Sequence, residues 1–519
     1  MTGALIQLVA KGVQDIFMVR DPQITYFKIV YRRHTNFSLE AIPQYFTHKP
    51  DFGKKVTCSI SQNGDLVGKT HLVVTLPKIK PFILEDGTID PLTKFAWVKK
   101  LGYALIKNVE LEIGGQLIDR QYGDWLNVIS ELFIRKEDTG IDKMIGNIED
   151  LTSFSSTKDK YTLYIPLQFW FCRNPSLAIP ILCLHHSEVK INLELNDLES
   201  CYILTPTHFL EVEDELITFE PYEYIYQNIN NEISSGIFSG YDPITKRIYY
   251  TRISRNKFLT LPDDEGQTYT IEDILKTYPQ FLIKSRTSDK FCIPKIGSSS
   301  KIYTNRELEN VTLQECYLLV TYIYLDSEER NRFVQAKHEY LIEQVHIFNP
   351  QTIQASNYGA KIDSINPTRF FVWFVQQQYF LDYNNNDHFN YTDDYLYRLD
   401  DKCQKYVLNG KSLILDENIL FNGYDRISKR NYKYFNHLQP YQHFEVSPDE
   451  GINVYSFSLE PEKFQPSGSC NSSYIGLTEI KMNLNHIINN KNTGVFKGYA
   501  LGQNIFRIID GLGGLVFIR

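Results

Sequence analysis

Two stretches of this chain read as copies of one another. Tyr164–Leu193 aligns with Tyr455–Leu484 at a constant offset of 291 residues and without a gap. Tyr164 falls on Tyr455, Pro175-Ser176 on Pro466-Ser467, and Glu188-Val-Lys-Ile-Asn-Leu193 on Glu479-Ile-Lys-Met-Asn-Leu484. A second echo lies upstream, where Leu117-Ile-Asp119-Arg120 resembles Gly423-Tyr-Asp425-Arg426 at an offset of 306. Alternating Glu/Lys with Val/Ile is ordinary in half-buried strands, so one matching stretch would mean little. Several marks kept in the same order favour a duplicated β unit. Duplication also fits the length, since 519 residues exceed what one hydrophobic core holds.

Composition points the same way. Tyr 35, Phe 32 and Trp 4 make 14% of the chain, while Ala occurs ten times. Aromatic and β-branched residues suit pleated surfaces, and Ala is the best helix former, so strand is expected throughout. About eight strands per copy suggest a sandwich or a jelly roll. No uncharged apolar stretch approaches 18 residues, and the N-terminus lacks the pattern of a secretory leader. A net charge of −8 is the wrong sign for packaging nucleic acid.

Reading along the chain, residues 1–23 form an arm, with Leu5, Ile6, Leu8 and Val9 on one face and Ile16, Phe17 and Met18 as a second apolar cluster. Strands are expected at Ile24–Tyr31, Val56–Ser61, Leu66–Thr75, Val109–Ile113, Gln116–Arg120, Tyr161–Cys172, Leu177–Leu184 and Glu188–Leu195. Asn63-Gly64 and Gly114-Gly115 suit tight hairpins. The spacing of Trp125, Leu126, Ile129, Leu132 and Phe133 predicts a helix over Gly123–Phe133. Residues 197–312, rich in Pro, Asn and Tyr, read as an insertion with a small structure of its own. Strand text resumes at Cys316–Leu325 and Phe370–Phe380, on either side of a charged junction at Asp326–Arg332. The Asn-rich Asn384–Asn390 suggests an exposed loop tip. The resulting division is an arm at 1–23, a first unit at 24–335 carrying the insertion 197–312, and a second unit at 336–519.

A search for chemistry finds near-misses. Gly68-Lys69-Thr70 and Gly410-Lys411-Ser412 lack the distant glycine that lets a phosphate loop wrap its ligand. Gly511-Leu-Gly-Gly-Leu515 has neither the spacing nor the βαβ setting of a dinucleotide fingerprint. His185-His186 with Glu188 is the best metal candidate, but neighbours in a strand point to opposite faces. Asp382, Asn384 and Asn386 begin like a calcium loop, yet Asp387 stands where the turn glycine belongs. The eight cysteines form no C-x-x-C and read as reduced core residues. No catalytic, cofactor or metal residue is therefore assigned. Four N-x-S/T sequons remain as possible glycan acceptors: Asn390, placed first on its expected loop tip, then Asn310, Asn36 and Asn471.

One ordered set of motifs is more specific than any of these. Ile6-Gln-Leu-Val-Ala-Lys-Gly-Val-Gln-Asp15 and Pro22-Gln-Ile-Thr-Tyr-Phe-Lys-Ile-Val-Tyr-Arg-Arg-His-Thr-Asn-Phe37 open the chain. Ser61–Gly68, Leu325–Phe333, Glu339–Gln344, Asn422–Arg426, Gln439–His443, Val454–Pro461 and Gln465–Gly468 follow in order. Together they resemble the major capsid protein of nucleocytoplasmic large DNA viruses, in its chlorella virus and mimivirus-like branch, across nearly the whole chain.

The resemblance implies an all-β double jelly roll, two tandem eight-stranded sandwiches with short helices. The insertion would fall between the last two strands of the first. It further implies a homotrimer forming a pseudo-hexagonal capsomer in an icosahedral virion shell assembled in the host cytoplasm. Expected partners are neighbouring capsomers and, at the base beneath the N-terminal arm, minor capsid proteins. An internal viral membrane would lie nearby without being spanned, and no direct contact with the genome is expected. A minor or penton-type capsid component of similar fold and a carbohydrate-binding β-sandwich are the alternatives.

Overall fold

The computed structural model describes residues 3–517, except 13–18, 84–86, 136–139, 214–218, 231, 255, 263–270, 287, 304–307, 309, 364–365, 382–384, 394–397, 400–405 and 408–409. Ile16, Phe17, Met18, Asp382, Asn384 and Cys403 lie outside the described residues.

Eight strands build the first unit: β1 (Phe37–Gln44), β2 (Lys55–Ser59), β3 (Leu66–Leu76), β4 (Ile106–Ile113), β5 (Gln116–Tyr122), β6 (Tyr161–Pro166), β7 (Val189–Leu195) and β8 (Glu315–Leu325). Eight more build the second: β9 (His338–Ile347), β10 (Asn357–Ile362), β11 (Pro367–Gln377), β12 (Ile414–Phe421), β13 (Tyr424–Asn431), β14 (Asn453–Ser456), β15 (Thr478–Leu484) and β16 (Gly494–Ile509). The first unit has sheets ordered β1-β8-β3-β6 and β2-β7-β4-β5. The second has β9-β16-β11-β14, with three short strands attached, and β10-β15-β12-β13. Adding eight to every index of the first pair of sheets gives the second pair. Each unit is a jelly roll.

The sequence echoes fall on equivalent strands. The 291-residue offset carries β6 onto β14 and β7 onto β15, and the 306-residue offset carries β5 onto β13. Between β7 and β8 the chain leaves the first roll. Strands between His208 and Ile302 form a separate seven-stranded antiparallel sheet with small cores around Ile225, Ile248 and Tyr250 and around Leu261 and Ile274.

Burial explains why β11 reads as one unbroken apolar run. Phe371, Trp373 and Val375 point into the core of the second roll. Phe370, Val372 and Phe374 point the other way, into a larger core continuous with that of the first roll. A strand covered on both faces has no polar side to alternate with. By contrast β7 alternates buried and half-buried positions along its whole length.

Helix α1 (Gly3–Val9) and the following described residues up to Asn36 contain no buried position. Helix α2 occupies Gly123–Phe133, as the spacing of its apolar residues predicts. Helix α3 (Ser327–Gln335) takes up the charged junction, and the Asp326 carboxylate caps it by accepting from Glu329 N–H at 2.8 Å. Gly114-Gly115 turns the β4–β5 hairpin with φ of 59° and 82°, a left-handed pair that glycine adopts freely.

Several local expectations are corrected. Ile24–Tyr31 is exposed and forms turns and coil, and no described strand pairs with it. The strands flanking Asn63-Gly64 do not pair with each other. β2 lies against β7 and β3 against β8, so this dipeptide crosses between sheets. Leu177–Leu184 is not a strand: 3₁₀ turns at Pro175–Leu177 and Ile181–Cys183 lie on either side of Ala178–Pro180. Past Pro166, the expected strand gives way to a helical turn at Trp170–Arg173. Asn384–Asn390 is not a loop tip in its described part, since Asn386 and Asn390 are buried.

Candidate assembly interface

The contact between the two rolls is built from α2 upward. The helix follows β5 directly and carries Trp125 onto the outer face of β9-β16-β11-β14. The indole stacks on Phe370 at 6.4 Å and meets Tyr499 at 5.5 Å between ring centroids. Phe133, at the end of the helix, packs on Phe370 and Phe444. Trp125, Phe370 and Tyr499 are fully buried. Aromatic anchors of this size dominate an apolar contact. At its rim, Lys497 Nζ reaches Asp124 Oδ2 at 2.7 Å.

A polar seam runs beside this contact. β9 is an edge strand, and its Val345 N–H donates to Asp119 Oδ1 on β5 at 2.9 Å. Gln344 Nε2 donates to the Ile118 carbonyl at 2.5 Å. Covering an edge in this way removes a site for stray pairing. Burial pushes the Asp119 carboxyl up to about 6, against the hydrogen bonds from Val345 and Gln121 that favour its charge. Glu343 sits between Arg173 and Arg369 and pairs with both. Burial draws both guanidiniums down to about 10, with Arg173 further disfavoured by the nearby Arg369. A groove of about 550 Å³ opens along the seam, lined by Asp119, Arg120, His346 and Asp363 among others.

Two further segments fasten the rolls. Asn386 Nδ2 donates to the carbonyls of Glu199 and Tyr202 at 2.6 and 2.8 Å. Near the C-terminus, Gly513 N–H donates to Ser187 Oγ at 3.1 Å and Leu515 N–H to Gln116 Oε1 at 3.0 Å. The glycine-rich Gly511–Leu515 is thus a structural latch: Leu512–Leu515 pairs with Phe506–Ile509.

Of the four sequons, Asn36, Asn310 and Asn471 are exposed. Asn390 is 1% exposed. Its side chain donates to Asp387 Oδ2 at 2.9 Å and accepts from Thr392, so the folded chain offers no access to it. His185 and His186 are exposed in a turn, and no group of three potential metal ligands occurs among the described residues. The described cysteines are free thiols, and six of the seven are buried. Sequence reasoning did not find Arg173, Glu343 and Arg369. The recurrence of Asp119-Arg120 as Asp425-Arg426 points to β5 and β13, not to these three residues.

Twinned jelly rolls fused through an apolar contact define the double jelly-roll class. Two family models match, one described as the major capsid protein N-terminus over residues 25–233 and one as the large eukaryotic DNA virus major capsid protein over residues 329–514. The chain is 39% identical to probable capsid protein 4 of Acanthamoeba polyphaga mimivirus, with 100% of this chain and 99% of that one covered. It is 30% identical to the major capsid protein of Phaeocystis pouchetii virus, with both chains fully covered. The Faustovirus major capsid protein superposes with a TM-score of 0.66 at 13% identity, covering 98% of this chain and 96% of that one. A chain of the PBCV-1 virus capsid superposes with a TM-score of 0.60 at 22% identity, covering 95% and 100%. The protein belongs to the major capsid protein family of the large eukaryotic DNA viruses.

Proposed function

We propose that three copies of this chain associate into a capsomer whose six jelly rolls form a pseudo-hexagonal ring, and that these capsomers tile an icosahedral shell. The observation that carries the reading is the pair of identically ordered rolls standing side by side on one shared core. A ring of six similar units needs each chain to supply two, already set at a fixed angle. Closed rings of repeated heterologous contacts are a common way to build such tiles.

The division into an arm at 1–23, a first roll at 24–335 with the insertion 197–312, and a second roll at 336–519 belongs to this reading. The exposed N-terminal segment, with Tyr26, Phe27, Ile29 and Val30 between 80% and 98% exposed, suits a docking role at the capsomer base against minor capsid proteins. Assembly would take place in the host cytoplasm, beside an internal membrane. No helix among the described residues is long and apolar enough to cross it. Any glycan would sit on Asn36, Asn310 or Asn471. No enzymatic role is assigned.

Size-exclusion chromatography with light scattering tests the central claim. The expected mass is three times that of the 60.6 kDa chain. A stable monomer at micromolar concentration overturns it.

A further inference from the structure

Within one chain, the first roll presents α2 and the β5 edge, and the second roll receives them on the outer face of β9-β16-β11-β14. Because the rolls repeat, both surfaces exist a second time, and among the described residues each keeps exposed apolar side chains. The twin of the receiving face is the outer face of β1-β8-β3-β6. There Leu39 is 59%, Tyr45 71% and Tyr164 42% exposed, beside half-buried Tyr317, Leu319 and Ile323. In the second roll the corresponding strands carry Phe370, Val372, Tyr499 and Leu501 at 0–1% exposure. The twin of the presenting surface is β13 and the helical segment after it, Tyr434–His443. Asp425 stands on β13 where Asp119 stands on β5, and Leu438 and Tyr441, three residues apart, are 43% and 82% exposed.

We propose that these two surfaces meet between copies of the chain, with Leu438 and Tyr441 of one copy seated on the outer face of β1-β8-β3-β6 of the next. The proposal rests on the trimeric reading above and assigns the residues that make it. A second copy is the occupant because the two patches are twins of the halves of an interface already formed inside the chain. Such patches are complementary to each other and not to themselves, so the contact runs head to tail and closes into a ring. β1 supports the assignment. It is an edge strand exposed at six of its eight residues, with Ile42 half-buried and Gln44 buried. Its twin β9 has Val345 N–H taken by Asp119. Asp425, which accepts from Asn418 Nδ2 at 2.8 Å, is placed to do the same for a β1 N–H of the neighbour.

The test places a benzoylphenylalanine photocross-linker at position 441 of the full-length assembled protein, made from mixed light and heavy isotope-labelled copies. Mixed-isotope adducts to residues 37–45, 161–166 or 315–325 are expected. Adducts to 424–443, which mean a two-fold contact, or to 3–36, which mean that the arm covers this face, overturn the proposal. Independently, Leu438→Asp with Tyr441→Asp lowers the trimer fraction at least tenfold at micromolar concentration while the monomer keeps a native far-UV circular dichroism spectrum, since both side chains face solvent in the single chain. Ile244→Asp, at a 92% exposed position on the insertion, leaves the trimer intact. A trimeric wild type with a trimeric double variant sinks this interface alone, whereas a monomeric wild type sinks the trimeric reading with it.

Discussion

Glu417 is a carboxyl whose setting makes stability depend on pH. It is 1% exposed inside the second roll, with Trp373 Nε1–H donating to Oε2 at 2.7 Å. Burial, aided by the adjacent Asp416, pushes its carboxyl up to about 8 from 4.5. Below pH 4.5 folded and unfolded chains both hold the proton. Between 4.5 and 8 only the folded chain holds it, so stability falls as pH rises across that window and levels off above it. Glu417→Gln keeps an acceptor for Trp373 and has no charge to release. Its melting temperature is expected to stay near or below wild type at pH 5 and to exceed it at pH 8, a relative gain on the order of a few kcal/mol. A difference that does not change with pH would refute this account. Glu343→Gln acts oppositely. It leaves the guanidiniums of Arg173 and Arg369 without their shared carboxylate, in a setting where Arg369 is 1% exposed. A loss of about 3–5 kcal/mol in urea unfolding is expected. Neither residue stands out in the sequence, where a Glu within a strand looks like any solvent-facing Glu.

Among the elements, α2 and β11 were the most legible, for opposite reasons. The apolar spacing of α2 fixes a helix with one buried stripe, and the unbroken run of β11 fits a strand covered on both faces. The failures share one cause: the missing information lay in a partner. Asn63-Gly64 has hairpin chemistry, but β2 and β3 are claimed by β7 and β8. Ile24–Tyr31 has strand composition with no neighbour to pair with. Asn390 sits in a polar stretch that looks solvent-exposed, yet its side chain is turned inward onto Asp387 and Thr392. Trp125 joins two elements distant in sequence, and Trp125→Ala removes an indole stacked against β11 and β16. A cost of about 3–5 kcal/mol is expected, seen as a lower denaturation midpoint. Because both rolls share that core, the melt should remain one transition by calorimetry. Two resolved transitions would show that the rolls unfold independently.

For the whole molecule, the repeated β fold could be read from the sequence, while the contact surfaces had to be built from paired strands. Deleting residues 1–35 removes no buried described side chain and no ladder hydrogen bond of β1. The truncated chain is expected to melt within about 1 °C of wild type and still form trimers, while losing association with base-layer partners in reconstituted shells. A collapse in stability would mean that the segment packs on the body. The position of β8 has a consequence for synthesis. β8 lies between β1 and β3, yet it emerges from the ribosome only after the whole insertion. Until residue 325 has been made, β1 has no ladder partner and β3 offers an open edge to other nascent chains. The seven-stranded sheet of the insertion, whose pairings lie between His208 and Ile302, can fold first, while Tyr202–Thr205 pairs back onto Lys94–Trp97 of the first roll. The first roll therefore closes late, around an already folded module, and the half-made chain is the form most exposed to aggregation.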